Sequence, residues 1–159
     1  IMSLKDGNKK MSKSDPSDLS RINLTDTEAE IINKIKKAKT DSIPFPTNIN
    51  NLKSRPEIEN LIGIYSSLSE KKIDLLFNEF KDKNFTFFKE QLSDVIVKKI
   101  SPISKEIKKL NQDPSYIDKV LQDGSEKAYE LSSKKMTDIK KKFGFWVLFT
   151  LKILSYTYI

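Results

Sequence analysis

The chain has 159 residues, with 29 Lys and Arg against 22 Asp and Glu, and a formal net charge of +7. It contains neither Cys nor His, which excludes disulfides, thiolate catalysis, Ser-His dyads and metal sites built from imidazole or thiolate ligands. With 32% charged and 37% hydrophobic residues, the composition is that of a folded domain, not of a disordered chain or a membrane bundle. Any chemistry therefore depends on lysines, hydroxyls, carboxylates and backbone amides.

The first residues predict a strand followed by a loop rich in Lys and Ser. The run from Ile1 to Leu4 is typical of the inside of a fold, and no signal-peptide pattern is present, so we expect the sequence to begin within a longer protein. In the loop that follows, KKMSKSDP over residues 9–16, Lys10 and Lys13 could converge on one polyphosphate. Serine hydroxyls and loop amides would add donors. A flexible basic surface turn is the alternative.

Helical periodicity begins after residue 24. Two overlapping capping boxes, at Thr25 and at Thr27, predict the start of a first helix, and a loop follows from Pro44 to Asn51. The sequence Ser54-Arg-Pro-Glu57 predicts a second helix with its own capping box, and Ser69 is a candidate cap for a third. The apolar residues of these helices, and of the helices that follow them, recur at helical spacing, which predicts that they pack in the core.

Two breakers shape the prediction for the second half of the helical region. A long helix carrying Phe88 to Ile107 is expected to be kinked or split at Pro102. Asp113-Pro114 predicts a short helix, and a last helix is expected after Gly124. Gly144 is a natural end for that last helix.

Positive charge is concentrated in two of these predicted helices, over residues 98–109 and 134–142. Each segment carries five lysines and one acidic residue, so either face could neutralise the phosphates of a nucleic acid. The alternative is a solvated lysine face in a lysine-rich proteome. Tyr65, Tyr116 and Tyr129 could stack on RNA bases, although packing between helices is the interpretation we prefer.

The tail from residue 145 to 159, FWVLFTLKILSYTYI, differs from the rest of the chain because it is almost entirely apolar. It is shorter than the ~20 residues that a spanning helix needs, and Lys152 interrupts it, so no stable membrane insertion is expected. Its β-branched and aromatic residues favour a strand. Peripheral membrane attachment is a weaker alternative.

Residues Lys10 to Ser14 spell KMSKS, the signature of class I aminoacyl-tRNA synthetases, and the surrounding sequence resembles the bacterial tryptophanyl branch of that family rather than the tyrosyl branch. Three later blocks resemble the same branch in order and spacing: residues 35–42 (IKKAKTDS), 60–69 (NLIGIYSSLS) and 123–128 (DGSEKA). The resemblance covers residues 1–144, which correspond to the C-terminal portion of such an enzyme. The residues after Gly144 have no counterpart in the family.

The resemblance implies a mainly α chain with three parts. Residues 1–24 would form the edge of a Rossmann-like nucleotide-binding fold with the KMSKS loop, and residues 25–144 an α-helical anticodon-binding domain. The family's HIGH-type motif cannot lie in this chain, which has no His. The tryptophan pocket and the homodimer interface would lie in the N-terminal part of such an enzyme, so this chain alone is expected to be inactive.

The implied reaction is that of a tryptophan–tRNA ligase in the cytoplasm, in which ATP activates L-tryptophan and the product acylates tRNA(Trp). Lys10 and Lys13 match the lysines that grip the ATP phosphates, assisted by Mg²⁺, and no residue of this chain is expected to ligate a metal. Ile1, Met11, Ser12 and Ser14 match further positions that contact ATP in the family. The alternatives are a tyrosyl enzyme and a non-catalytic basic helical module that binds RNA.

Overall fold

The computed structural model of the chain describes residues 1–145, and the chain is mainly α, as predicted. The elements are the strands β1 (Met2–Ser3) and β2 (Asp6–Lys10), then the helices α1 (Glu28–Lys36), α2 (Pro56–Ser69), α3 (Ile73–Phe80), α4 (Phe85–Asn111) and α5 (Pro114–Lys142), with short 3₁₀ turns at Asp18–Ser20 and Ile49–Leu52. Residues 146–159 of the predicted apolar tail lie outside the described part. Within that part, no helix has both the length and the apolarity needed to cross a membrane.

The chain forms two compact units, residues 1–109 and a second unit that begins at Leu110. The first unit holds β1, β2 and the helices from α1 to most of α4, and the second holds α5. The functional boundaries predicted after residues 24 and 144 stay predictions, because compactness alone does not assign a function to a segment.

Of the two capping boxes predicted before α1, the one at Thr27 forms and the one at Thr25 does not. The Glu30 N–H donates to Thr27 Oγ1 at 3.3 Å, and the Thr27 N–H donates to Glu30 Oε2 at 2.7 Å, which completes a capping box. The predicted box at α2 is wrong, since Arg55 is the N-cap and makes no side-chain cap bond. Its intended partner, Glu57, instead pairs with Lys39 at 2.7 Å.

The N-cap of α3 is Lys72, three residues after the predicted Ser69. Ser69 is the last residue of α2, and α3 begins at Ile73 after Lys72. Glu70 ends α2 in the left-handed conformation, with φ 60°, and the Ser69 hydroxyl accepts from the Lys71 N–H at 3.4 Å. The serine therefore stabilises the turn between the helices and does not cap the second one.

Neither Pro102 nor Gly124 splits its helix. Pro102 lies inside the continuous helix α4 and is exposed, so water can hydrate the carbonyl of residue 98 that lacks its usual donor. Gly124 lies inside the continuous helix α5, where the separate short helix was predicted. The predicted end is confirmed: Gly144 has φ +71°, and the Phe145 N–H reaches the Lys140 carbonyl at 2.9 Å in a Schellman motif.

The core lies in the first unit and is centred on an aromatic cluster. Phe88 lies 5.0 Å from Phe45 and 5.1 Å from Phe80 between ring centroids, and Tyr65 packs on the same group. Apolar faces of α1 to α4 surround this cluster, as predicted. The prediction of core packing is wrong for α5 as the structure describes it, because that helix buries none of its residues. Tyr65 is buried as expected, whereas the two tyrosines of α5 are exposed.

The β1–β2 hairpin is attached directly to the start of α2. Asn60 holds the β1 backbone with two hydrogen bonds of 2.9 Å: its Oδ1 accepts from the Met2 N–H and its Nδ2 donates to the Met2 carbonyl. Gly7 of β2 lies against the first turn of α2. A Cβ on Gly7 would overlap the backbone of Pro56 and Glu57 and lie 2.6 Å from the Pro56 carbonyl oxygen. Only glycine allows this close approach.

We therefore predict that Gly7→Ala lowers the free energy of unfolding by about 1–3 kcal/mol, since backbone must move to accommodate the methyl group. Gly63→Ala is the matched control: it lies within α2 of the same unit, has no atom within 4 Å of its added Cβ, and should not destabilise. Urea denaturation followed by circular dichroism measures both. Equal unfolding midpoints for the two variants would contradict the close approach.

Candidate phosphate-binding loop

The KMSKS loop leaves β2 at Lys10 and is anchored by its apolar residue. Met11 is half-buried against the core, and its N–H donates to the Ile1 carbonyl at 3.4 Å. The side chains of Lys10 and Lys13, by contrast, are exposed. The loop therefore fixes its backbone to the fold at Met11 and leaves both ammonium groups free to reach a ligand.

Two serine- and aspartate-based turns shape the rest of the loop. Ser12 Oγ accepts the Ser14 N–H at 3.3 Å, and the two hydroxyls lie 2.9 Å apart. Asp15 Oδ1 then accepts the Ser17 N–H at 2.7 Å. Such turns hold a loop without a regular backbone ladder, which leaves other loop amides available as donors.

Five of the six predicted contact residues line one open cavity of about 610 Å³: Ile1, Lys10, Met11, Ser12 and Lys13. Ser14 does not line the cavity, but it hydrogen-bonds to Ser12, which does. The lining combines two lysines and a serine with the apolar residues Ile1, Met11, Ile22 and Leu24. A polyphosphate joined to a flat apolar group matches this mixture of cationic and apolar side chains.

Arg21 contributes a third positive charge to the same cavity, which the motif alone does not predict. Its guanidinium donates to the Asp15 carbonyl at 2.9 Å and pairs with Asp18 at 3.0 Å, so it also fastens the far end of the loop. The sequence does offer one indication that Arg21 is special: Arg21 and Arg55 are the only arginines in a chain rich in lysine.

A buried ion cluster fixes the segment that leaves the loop to α1. Lys34 is only 3% exposed, and its Nζ lies 2.6 Å from Asp26 and 2.7 Å from Asp18. The hydrogen bond from Lys34 lowers the pKa of the Asp18 carboxyl. Burial opposes the charge of Lys34, but the two carboxylates outweigh it and raise the pKa of its ammonium group. Sequence periodicity cannot reveal these pairs, because their partners are 8 and 16 residues from Lys34.

A second ion pair holds the turn after α1, the Thr-Asp-Ser segment singled out in the sequence. Arg55 is buried and donates from Nε and Nη2 to the two Asp41 oxygens at 2.8 and 2.7 Å. It also donates to the carbonyls of Ile43 and Pro44. The bond from Arg55 lowers the pKa of the Asp41 carboxyl. One arginine thus organises the loop before α2.

Comparison with known proteins agrees with the motif. The sequence profile of the family described as tRNA synthetases class I (W and Y) matches residues 1–101. The chain belongs to this family. Relatives named tryptophan–tRNA ligase are 50% identical in Mesorhizobium japonicum and 49% identical in Agrobacterium fabrum, each over 91% of this chain. The predicted resemblance to the tryptophanyl branch is therefore confirmed. The chain spans 41% of the length of these two relatives.

Solved structures share the fold. The tryptophanyl-tRNA synthetase of Mycoplasma pneumoniae matches 92% of this chain with a TM-score of 0.71 at 24% identity, and the match covers 46% of that chain. The enzyme of Campylobacter jejuni gives a TM-score of 0.65 at 21% identity. A mainly α portion of a class I synthetase, as predicted from the sequence, is thus the fold of this chain.

The Asp41–Arg55 pair predicts a pH dependence of stability. Because the folded pKa of Asp41 lies below its ordinary value of 3.8, the pair contributes stability above pH 3.8 that is lost as the pH falls through the folded pKa. Asp41→Asn should cost about 3 kcal/mol at neutral pH, since it leaves the Arg55 guanidinium buried without its counter-ion. The variant should also lose stability less steeply below pH 4, by up to about 1.4 kcal/mol per pH unit.

Urea unfolding between pH 2.5 and 7 measures this difference. Asp82→Asn is the control, because Asp82 is an exposed aspartate in the turn between α3 and α4. Its profile should follow that of the unmodified chain. Parallel profiles for Asp41→Asn and the unmodified chain would show that the pair does not titrate on unfolding.

Proposed function

We propose that this chain supplies the ATP-phosphate-binding loop and the tRNA-binding helices of a tryptophan–tRNA ligase. One observation carries the proposal: Lys10 and Lys13 of a complete KMSKS motif line the same cavity as Ile1, in a chain 50% identical to a relative of that name. The reaction joins L-tryptophan to ATP as tryptophanyl-adenylate and then transfers the amino acid to tRNA(Trp).

The first step suits a chain without His or Cys. The tryptophan carboxylate attacks the α-phosphorus of ATP, a P–O bond forms, and the bond to the departing pyrophosphate breaks. This displacement needs no enzyme nucleophile and depends on positioning and on neutralising negative charge. Lys10 and Lys13 meet the phosphates as that charge grows on the pyrophosphate, so their interaction strengthens in the transition state and lowers the barrier. Closure of the loop over ATP would precede this step.

The remaining partners follow from the same proposal. Mg²⁺ accompanies the ATP phosphates, and residues 1–145 contain no cluster of three or more acidic side chains that would hold an ion by themselves. The tRNA meets the helical part of the chain, where the exposed Tyr116 and Tyr129 on α5 are available to stack on bases.

We place the reaction in the cytoplasm. Dimerisation and tryptophan recognition belong to the part of such an enzyme that this chain does not contain.

The role of Lys13 can be tested in a chimaera in which this chain replaces the matching 41% of the Mesorhizobium japonicum relative. We expect tryptophan-dependent ATP–pyrophosphate exchange in the chimaera. Lys13→Ala should lower kcat by about 10²-fold with a much smaller rise in the KM for ATP, because the lost interaction is strongest in the transition state.

Lys9→Ala is the matched control for that experiment. Lys9 precedes the motif, pairs with Asp6 at 3.4 Å and does not line the cavity, so its removal should leave kcat within about twofold. A raised KM with unchanged kcat in Lys13→Ala would limit that lysine to ground-state binding of ATP. A chimaera that folds but shows no exchange would favour the non-catalytic RNA-binding alternative.

The basic end of α5 should contact the tRNA backbone. Replacing Lys140, Lys141 and Lys142 by Ala in this chain should weaken binding of a tRNA(Trp) transcript and lower the slope of log K against log salt by up to about 2. Fluorescence anisotropy between 50 and 200 mM KCl measures the slope. The control removes three exposed lysines of the first unit, Lys53, Lys72 and Lys81, with the same change in charge. Equal slopes in the two triple variants would count against a contact at α5.

A further inference from the structure

A second cavity, of about 330 Å³, lies at the start of α1 and is separate from the KMSKS loop. The first turn of α1 forms one wall, and four residues of α4 form the other: Ser101, Ser104, Lys105 and Lys108. All of these residues belong to the first unit of the chain. The cavity therefore joins a helix N-terminus to two lysines and two serines of a neighbouring helix.

Ser101 is the unusual member of this group. The residue is 8% exposed, yet its hydroxyl oxygen is buried and has no hydrogen-bond partner, alone among the buried polar side-chain atoms of residues 1–145. The neighbouring Ser104 hydroxyl, by comparison, donates to the Asp26 carbonyl at 3.3 Å. Leaving a buried hydroxyl unpaired costs about 1–3 kcal/mol. Because Ser101 also lines the cavity, its unpaired hydroxyl is available to donate to a group bound there.

The first turn of α1 offers two further donors. Its capping box satisfies the N–H groups of Thr27 and Glu30. The N–H groups of Glu28 and Ala29, which belong to lining residues, have no acceptor within the helix. The positive end of the helix dipole adds to their attraction for an anion.

The charged side chains that line the cavity are two carboxylates, Asp26 and Glu28, and two ammonium groups, Lys105 and Lys108. The Asp26 carboxylate is already paired with Lys34 at 2.6 Å and accepts the Asn23 N–H. The exposed Glu28 carboxylate lies 3.9 Å from Lys105, a weak pair in water. Lys108 also lines the cavity, and its ammonium group can turn toward a bound anion.

We propose that this cavity binds a phosphate oxyanion. The Glu28 and Ala29 N–H groups and the Ser101 hydroxyl donate to its oxygens, and the ammonium groups of Lys105 and Lys108 provide positive charge beside it. Two sources share this chemistry: a phosphodiester of the tRNA backbone, which rests on the proposed function, and free inorganic phosphate, which does not. The Ser101 hydroxyl is the diagnostic group, because its removal changes no charge and should not unfold the chain.

Inorganic phosphate is the first probe, applied to the full chain at constant ionic strength set with NaCl. Phosphate should raise the unfolding midpoint of the unmodified chain. Ser101→Ala should keep or raise the midpoint without phosphate and raise the Kd for phosphate about tenfold, since a hydrogen bond to a charged ligand is lost. The double variant Lys105→Gln/Lys108→Gln should raise the Kd further. Lys98→Gln/Lys109→Gln, the same charge change on α4 outside the cavity, should have little effect.

Binding of a tRNA(Trp) transcript is the second probe and separates the two sources. Weaker tRNA binding in Ser101→Ala, with an unchanged salt slope, assigns the site to the RNA backbone. Weaker phosphate binding with unchanged tRNA affinity assigns it to the free anion. If neither affinity changes in Ser101→Ala and in the Lys105/Lys108 double variant, the proposal is overturned. If the unmodified chain binds no tRNA, that result counts against the proposed function and not against the anion site. The phosphate measurement then decides whether the cavity binds a phosphate oxyanion.

Discussion

The close approach of the N-terminal hairpin to the start of α2 is the contact on which the candidate site depends. Gly7 lies against the first turn of that helix, and Asn60 holds the β1 backbone through both of its amide atoms. Lys10 is the last residue of β2, so a shift of the hairpin also displaces the start of the KMSKS loop. Positioning of this kind matters because a phosphate-binding group misplaced by about 1 Å can cost 10²-fold in rate.

The sequence predicted local features well where a single turn of chain decides them. Thr27 and Glu30 lie three residues apart, and Gly144 needs only its own left-handed conformation, so their roles are visible in a short window. The KMSKS motif can be found in the same way, because its five residues are contiguous. The ion cluster of Lys34 was not predictable, because its value depends on burial and on partners that only the folded chain brings together.

One physical reason explains why Pro102 does not split α4 and why Gly124 does not separate two helices. A proline inside a helix costs about 3 kcal/mol and a glycine about 1 kcal/mol, which are penalties and not prohibitions. In α4, the buried residues Leu92 and Ile96 before Pro102 and Ser104 after it attach the helix to the first unit, and that packing offsets the proline. In α5 nothing is buried, so the helix depends on its own propensity and on its two caps. A proline or glycine in the sequence thus predicts a loss of helix stability. The packing, propensity and caps of the rest of the helix decide whether it ends there.

The cations that hold loops in place and the exposed cations of this chain have different roles. Arg21 and Arg55 donate to backbone carbonyls and to a carboxylate at once, which suits the planar guanidinium and fixes loops on either side of α1. The lysines of the two cavities, in contrast, are exposed at Lys10, Lys13, Lys105 and Lys108. A compact ammonium group on a flexible stem can follow phosphate oxygens whose positions and charge change during a reaction. Arg21, Arg55 and the buried Lys34 therefore hold the segments around α1, and the exposed lysines remain for anionic ligands.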